Sequence, residues 1–382
     1  MQSTEQQSNM DVNQTRLVQL FTSLTAIDAE SFHERKMADH LMDLLEGLGV
    51  SVTMDESGKA TGSDAGNLFG SLPGTGERAG EEPLLFVAHM DTVAPGRGKR
   101  ANVREDGTIT SDGTTVLGAD DMTAAASILE AVREIEETGT PHRPLEFLFT
   151  TAEEAYTVGA SVFDFSRVRS KEVFAFDCSD RMGSYSQTEP TLISFSITVK
   201  GRAAHAGFEP EQGINALLAA ARAIASLPLG RADDHTTLNI GLVQSGTGTN
   251  VVPALAICQG EIRSLVHEDA LALYEKTLAC FQKEAAAIGA TASGEKVIHL
   301  TAYRIEKEDP ALGRYQKVLE ELHLPAYQKV QYGGSDINVV RRKGLDGICI
   351  ANPMYRAHTC AEYTVIRELA ELAAIVRGLM LS

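Results

Sequence analysis

The sequence predicts an α/β domain, a sheet flanked by helices, that is interrupted by an inserted α+β domain. Three observations carry this reading. Over the first half, short apolar runs ending in histidine or acids alternate with helical periods, the pattern of buried strands in an α/β sheet. Near Pro190 the texture changes to apolar–polar alternation, and the elements follow the ferredoxin-like order of strand, helix, two strands, helix, strand. From about Asp309 helix and strand alternate again. The boundaries that follow are 1–189 and 304–382 for the outer domain and 190–303 for the insertion.

Taken in order, Thr15 to Leu24 and Glu34 to Leu48 read as amphipathic helices, the second stopped by Gly47 and Gly49. Gly58 to Gly80 is rich in turn residues, with a short strand at Asn67 to Leu72. Leu84 to Ala88 is an apolar strand that runs into His89. Met122 to Glu136 is an Ala-rich helix. Leu145 to Thr150 is a second apolar strand, and Val173 to Phe176 a third that runs into Asp177. Within the insertion, Leu192 to Val199, Thr237 to Val243, Ala256 to Ile262 and Lys296 to Tyr303 read as strands. Gly213 to Leu227 and Glu268 to Ala287 read as its helices. Ala311 to Leu322 (helix), Gly347 to Ile350 (strand) and Val365 to Leu381 (helix) complete the chain.

Composition narrows the class. The chain has 382 residues, enough for two domains, and 43% of them are apolar, which supports a sizeable core. A net charge of -18 repels nucleic acid and anionic membranes, so neither is expected as a partner. The five cysteines are odd in number and form no C-x-x-C pair. This argues against a disulfide framework and for a reducing compartment, the cytoplasm. Met1 to Asn13 is polar and does not read as a signal peptide. No run of about 18 apolar residues exists to span a membrane.

The chemistry gathers at strand ends, where open α/β sheets place their ligand sites. His89-Met90-Asp91, Glu153-Glu154 and Asp177 each end or follow an apolar strand. Asp120-Asp121 precedes a helix, and His358 follows a late strand. Each piece has a plainer reading: Asp120-Asp121 as helix-capping acids, Glu153-Glu154 as surface acids. Convergence favours a site. Six carboxylates and two histidines gathered in one place would repel strongly, and two divalent cations relieve that. Mixed histidine and carboxylate donors suit zinc, cobalt or manganese rather than calcium.

With Ala88-His89-Met90-Asp91-Thr92, Gly118-Ala119-Asp120-Asp121, Thr151-Ala152-Glu153-Glu154, Asp177 and His358 in this order, the sequence resembles the dinuclear zinc metallopeptidase family of aminoacylases, carboxypeptidase G and peptidase T. Its segments look most like those of peptidase T. The resemblance runs from about Phe86 to His358. It implies a zinc-peptidase-like catalytic domain with an inserted lid that mediates dimerisation, and so a homodimer. It also implies two divalent metal ions: His89 and Asp177 on one, Glu154 and His358 on the other, Asp120 bridging. Asp91 would orient His89, and Glu153 would be the general base. The family commonly has Lys after the Asp-Asp pair; here Met122 stands there, which bears on the helix entry and not on the ligands.

The insertion carries its own matches to the family. Gly201 to Gly207 resembles the lid histidine segment, so His205 is expected to reach an active site, that of a partner subunit included, and to stabilise an oxyanion. Asn250 and Arg263 resemble residues that hold a substrate carboxylate, with Asn250 as a second donor beside the arginine fork. Gly333 and Gly334, in Gly333-Gly334-Ser335-Asp336, resemble a tight loop whose backbone approaches the substrate.

The expected activity is hydrolysis of an amide bond in a small peptide with a free carboxylate. An acyl-amino acid or folate-like amide is the alternative within enzymes. A non-catalytic binding protein on the same fold would have no need of Glu153 beside the ligands, and a metal-storing protein would show exposed Cys/His clusters, which this sequence lacks.

Overall fold

The computed structural model describes residues 12–382, so the polar N-terminal stretch read above lies, apart from Val12 and Asn13, outside them. The chain forms two compact units. One runs to Gln187 and takes in Ile305–Val330 and Ser335–Ser382; the other is Thr188–Arg304 with the loop Gln331–Gly334.

The first unit begins with helices α1 (Gln14–Thr25) and α2 (Arg35–Gly47) and strands β1 (Ser51–Met54), β2 (Leu68–Leu72) and β3 (Leu84–His89). Short strands β4 (Asn102–Val103) and β5 (Thr108–Thr110) lead to helix α3 (Ala119–Thr138), then to β6 (Leu145–Thr150), β7 (Glu172–Ser179) and β8 (Ser184–Glu189). The second unit holds β9 (Thr191–Lys200), α4 (Ala216–Ser226), β10 (Gly230–Arg231), β11 (Thr236–Ser245), β12 (Leu255–Ser264), α5 (His267–Ala286), β13 (Thr291–Leu300) and β14 (Tyr303–Arg304). The chain closes with α6 (Pro310–Glu321), β15 (Tyr327–Val330), α7 (Asp336–Arg342), β16 (Asp346–Asn352), β17 (Tyr363–Val365) and α8 (Ile366–Leu381).

The sheet of the first unit is mixed, with strand order β1-β2-β6-β3-β7-β16-β8. The apolar strands β6, β3 and β7, with β16, form its parallel centre. The flanking pairs β1/β2, β2/β6 and β16/β8 are antiparallel. Burial explains the apolar runs: Phe86, Phe147, Phe149, Phe174 and Phe176 are fully enclosed, and each such side chain contributes about 1.5–3 kcal/mol. The parallel arrangement matters for function because β3, β6 and β7 all end on the same edge, with His89 level with Thr150.

Helix α3 packs against α8 and α1. Its alanines 124, 125, 126 and 131 are fully buried and let the neighbouring helices come close. Arg16 on α1 donates to the buried carboxylate of Glu130 on α3 from Nε and Nη2, at 2.6–3.0 Å. Losing the arginine would strand a buried charge, which costs about 3–5 kcal/mol.

In the second unit the sheet order is β10-β11-β12-β9-β13, antiparallel throughout. Together with the sequence order β9-α4-β11-β12-α5-β13, this is the ferredoxin-like arrangement. Helices α4 and α5 cover one face and share a core with Ile193, Phe195, Ile197, Leu238 and Ile262. Asn215 caps α4, its side chain accepting from Leu218 N at 2.9 Å. The strand expected at Lys296 to Tyr303 starts five residues earlier, at Thr291, and ends at Leu300; its first half, Thr291 to Glu295, is written in small and polar residues and reads as loop.

Candidate metal centre and active site

Three strand ends and two loops converge. His89 closes β3; Glu153 and Glu154 follow β6; Asp177 lies near the end of β7. Asp120 stands at the mouth of α3, and His358 in the loop after β16. Donor atoms of His89, Asp120 and Asp177 lie within 4.8 Å of one another, and so do those of Asp120, Glu154 and His358. Asp120 therefore belongs to both groups. Its Oδ1 is 2.9 Å from His89 Nε2, and its Oδ2 is 3.1 Å from His358 Nε2. Glu154 Oε1 is 2.9 Å from the same His358 nitrogen.

Asp120 and Asp121 are not capping acids. Both have non-helical backbone angles, and both are buried. Asp121 accepts from His89 N at 3.2 Å and from Asn352 Nδ2 at 2.6 Å, which ties the end of β3 to the end of β16. Met122, where the family commonly has Lys, is fully buried. It joins the core at the helix entry and leaves the donor set untouched.

Asp91 acts in two ways. Its backbone carbonyl, 2.9 Å from His89 Nδ1, orients the ring, and its carboxylate is 3.4 Å from the same nitrogen. The carboxylate itself accepts from Glu153 N at 2.9 Å, Glu154 N at 3.2 Å and Ser31 Oγ at 2.7 Å. It thus holds the Glu153-Glu154 loop as much as it holds the histidine.

Several residues of this unit carry no signal in the sequence beyond being acids or amides. Glu34 accepts from Ala152 N at 2.9 Å and from Phe32 N at 2.8 Å, and Ser63 Oγ donates to its other oxygen. Asn67 Oδ1 accepts from Thr151 N at 3.0 Å, and Asp336 accepts from Thr150 Oγ1 at 2.6 Å. Together they fix the turn that carries both glutamates, in which Ala152 is left-handed at φ 49°. On the other side, Glu362 accepts from Leu117 N at 2.6 Å, Gly118 N at 2.7 Å and Asp120 N at 3.1 Å. It clamps the loop that presents Asp120 to the loop that presents His358. The small sheet β17-β5-β4 brings these two loops together.

The charge balance asks for cations. Burial pushes Glu153 well above the usual carboxylate range, with Asp177 adding to it. Burial, then Asp120, does the same to Asp177. Burial raises Asp121 as well. Burial also opposes the charge on Asp120, yet His358 and His89 outweigh it and hold this carboxyl well below the usual range. In return, Asp120 and then Glu154 draw His358 up to about 10. The site thus gathers positive charge onto its imidazoles as protons. Divalent cations would take those same ring nitrogens and carboxylate oxygens, so the donor set fits two ions of the borderline, zinc-like kind. Burial pushes Glu362 up to about 7, although the N–H of Asp120 favours its charged form.

In the second unit, the segment around His205 pairs with that around Asn250. Ala206 N donates to Asn250 O and Val252 N to Ala204 O, both at 2.9 Å. His205 Nδ1 accepts from Gly207 N at 3.1 Å and Phe208 N at 3.2 Å. Two backbone donors on Nδ1 leave the ring hydrogen on Nε2. The exposed imidazole, stacked on Phe208 at 4.3 Å, therefore offers a donor to solvent.

Arg263 is already engaged. Nε and Nη2 donate to the two oxygens of Glu261 at 2.9 and 3.3 Å, and Nη1 donates to Tyr332 O at 2.9 Å. Asn250 and Arg263, expected to share one carboxylate, do not come together within this chain. Asn250 precedes one end of β12 and Arg263 lies at the other, and Leu255 to Arg263 alone spans roughly 25 Å at the usual strand rise. Gly333 and Gly334 sit in the loop that groups with this unit. A Cβ at Gly333 would meet nothing within 4 Å, so packing does not require a glycine there.

Comparison with known proteins agrees with this architecture. The pattern of the peptidase dimerisation domain matches residues 188–288, and that of peptidase family M28 matches residues 67–226. The uncharacterized protein YqjE of Bacillus subtilis is 35% identical, over 96% of this chain and 97% of its own. The crystal structure of aminopeptidase PepT from Bacillus cereus superposes with a TM-score of 0.90 at 35% identity, covering 97% of this chain and 98% of that one. That of a tripeptidase from Staphylococcus aureus gives a TM-score of 0.92 at 30% identity with the same coverage. With likeness of this degree over nearly its whole length, the chain belongs to the dinuclear metallopeptidase family of aminoacylases, carboxypeptidase G and peptidase T, as a peptidase T-like member.

Proposed function

We propose that this protein is a metal-dependent peptidase that cleaves an amide bond in di- or tripeptides with a free carboxylate. The observation that carries the reading is the pair of donor groups sharing one carboxylate, Asp120, with Glu153 beside them. His89 and Asp177 would hold one divalent ion, Glu154 and His358 the other, and Asp120 would bridge them. Zinc is the ion we favour; cobalt and manganese suit the same donors. Such a pair of ions supplies Lewis acidity toward the scissile carbonyl and lowers the pKa of a water.

The protein's own residues do the rest. Glu153 takes a proton from the attacking water and delivers it to the leaving amine. Asp91 keeps the His89 ring and the Glu153-Glu154 turn in place. His205 donates its Nε2 hydrogen to the developing oxyanion, and Arg263 receives the substrate's carboxylate. Asn250 and the Gly333-Gly334 backbone add contacts to the bound peptide.

One chain keeps the His205 and Asn250 end of β12 far from the Arg263 end. A homodimer in which His205 of the partner subunit completes the site would let both act on one small substrate. The match to a dimerisation domain and the exposed apolar side chains Leu242, Val243 and Val297 of the second unit support the same assembly. Free cysteines support a reducing compartment, the cytoplasm; among the described residues no helix is long and apolar enough to cross a membrane.

The test is a panel of di- and tripeptides, acyl-amino acids and a folate-like amide, assayed after chelation and after addition of zinc, cobalt or manganese. Chelation should abolish hydrolysis of the peptides and metal should restore it. Full activity in a verified metal-free sample would refute the mechanism, and preference for acyl-amino acids would refute the substrate class.

A further inference from the structure

The Arg263 fork is filled by a carboxylate from its own strand. Glu261 and Arg263 lie two residues apart on β12, on the face opposite buried Ile262. Nε and Nη2 of the guanidinium meet the two Glu261 oxygens side by side, the bidentate contact that a peptide's carboxylate would make. The third contact, from Nη1 to Tyr332 O, uses a different edge of the guanidinium and does not compete with it. Both partners remain partly open to solvent, with about a quarter to a third of each side chain exposed: 28% for Arg263 and 32% for Glu261. The pair is therefore neither sealed nor strongly stabilised, and an incoming anion can reach it.

The surroundings give Glu261 somewhere else to go. In the sheet register Glu261 stands opposite Ser194 on β9 and Asn239 on β11. Ser194 Oγ lies 2.7 Å from His299 Nε2 on β13; burial pushes the pKa of that imidazole below its ordinary value, and the Glu261 charge only partly offsets this. The same sheet face thus offers a hydroxyl and a histidine that can receive the carboxylate once the arginine is taken.

We propose that Glu261 is a specificity-determining residue: an internal stand-in for the substrate's carboxylate, which occupies the Arg263 fork in the resting enzyme and must be displaced by a free-acid peptide. The exchange weighs on free acids alone. A ligand with a full carboxylate must displace Glu261 and replaces the lost ion pair, whereas a neutral amide or ester end leaves Glu261 in place and never uses the fork. The preference for free acids is thereby held down. Apparent affinity for free acids is also lowered, by the fraction of molecules in which the fork is filled.

This rests on the reading of Arg263 as the carboxylate anchor, and the experiment separates the two. kcat/KM is measured for a tripeptide and its C-terminal amide in the metal-loaded wild type, E261Q, R263A and the E261Q/R263A double variant. E261Q should raise the acid-to-amide ratio about two- to fivefold, mainly through a lower KM for the acid, since a half-exposed ion pair is worth up to about 1 kcal/mol. R263A should collapse the ratio, and E261Q should have no further effect on the ratio in the R263A background. An unchanged or lower ratio in E261Q, with the ratio still collapsed in R263A, would show that Glu261 orients the arginine instead of competing for it, and would overturn the proposal alone. Equal losses on acid and amide in R263A would overturn the anchor reading itself.

Discussion

At the metal centre, His89, Asp91, Asp120, Glu154 and His358 are tied to one another or to backbone N–H groups of distant loops, and the first three are buried. In the second unit, His205 is held by Gly207 and Phe208, and Arg263 by Glu261 and Tyr332, with the histidine exposed and the arginine partly so. The first region is preorganised by many partners that a substrate never touches. The second is held by few partners, most of them within three residues, which a substrate can replace. On the proposed function, charge that must stay fixed while a bond breaks belongs to the first, and groups that must greet and release a ligand belong to the second.

That contrast can be broken most forcefully at Glu153. Glu153→Gln should lower kcat by about 10²- to 10⁴-fold, the usual worth of a positioned general base, with metal content close to wild type. Glu154→Ala should lose metal as well as activity. Metal analysis beside steady-state kinetics checks both; wild-type turnover in the Gln variant would remove Glu153 from the mechanism. In the second region, His205→Ala alone should be severely impaired. Because we assign the histidine to the partner's site, mixing H205A with E153A subunits should restore part of the lost activity, since each hybrid dimer assembles one intact site. Mixtures no more active than their components would confine His205 to its own chain. The smallest of these effects is expected at Glu362, which touches no proposed ligand side chain. Glu362→Gln keeps an acceptor but turns an amide N–H toward backbone donors, and should weaken metal binding about 10- to 100-fold. Competition with a chelator of known affinity measures it; unchanged affinity would show that the Asp120 loop needs no clamp.

What could be read from the sequence follows the same division. Strands β3, β6 and β7 were legible because they are buried on both faces and so are written as unbroken apolar runs. Strand β8, Ser184–Glu189, is also largely buried, but it is written in polar residues and gave no signal. Helix α7 was missed because it is short and opens on a capping box that follows two glycines. His89, Glu153-Glu154 and Asp177 were legible as site candidates because they terminate those apolar strands. Glu34, Asn67, Asp336 and Glu362 were not. Each acts by accepting hydrogen bonds, mostly from the backbone N–H groups of a distant loop, a relation that leaves no spacing in the sequence. The separation of Asn250 from Arg263 was equally hidden, since thirteen residues of chain can be a tight turn or, as here, an extended strand.

The Glu362 clamp has a bearing on how the enzyme comes into being. His358 meets Asp120 across 238 residues of chain, and Glu362 meets Gly118 across 244. Contacts of such long range are the last to be closed as a chain is synthesised and collapses. Asp120 leaves the ribosome early, yet neither its clamp nor its second histidine is available until the residues up to Glu362 have emerged. A nascent chain that lacks the His358 segment therefore carries at most one of the two proposed donor groups.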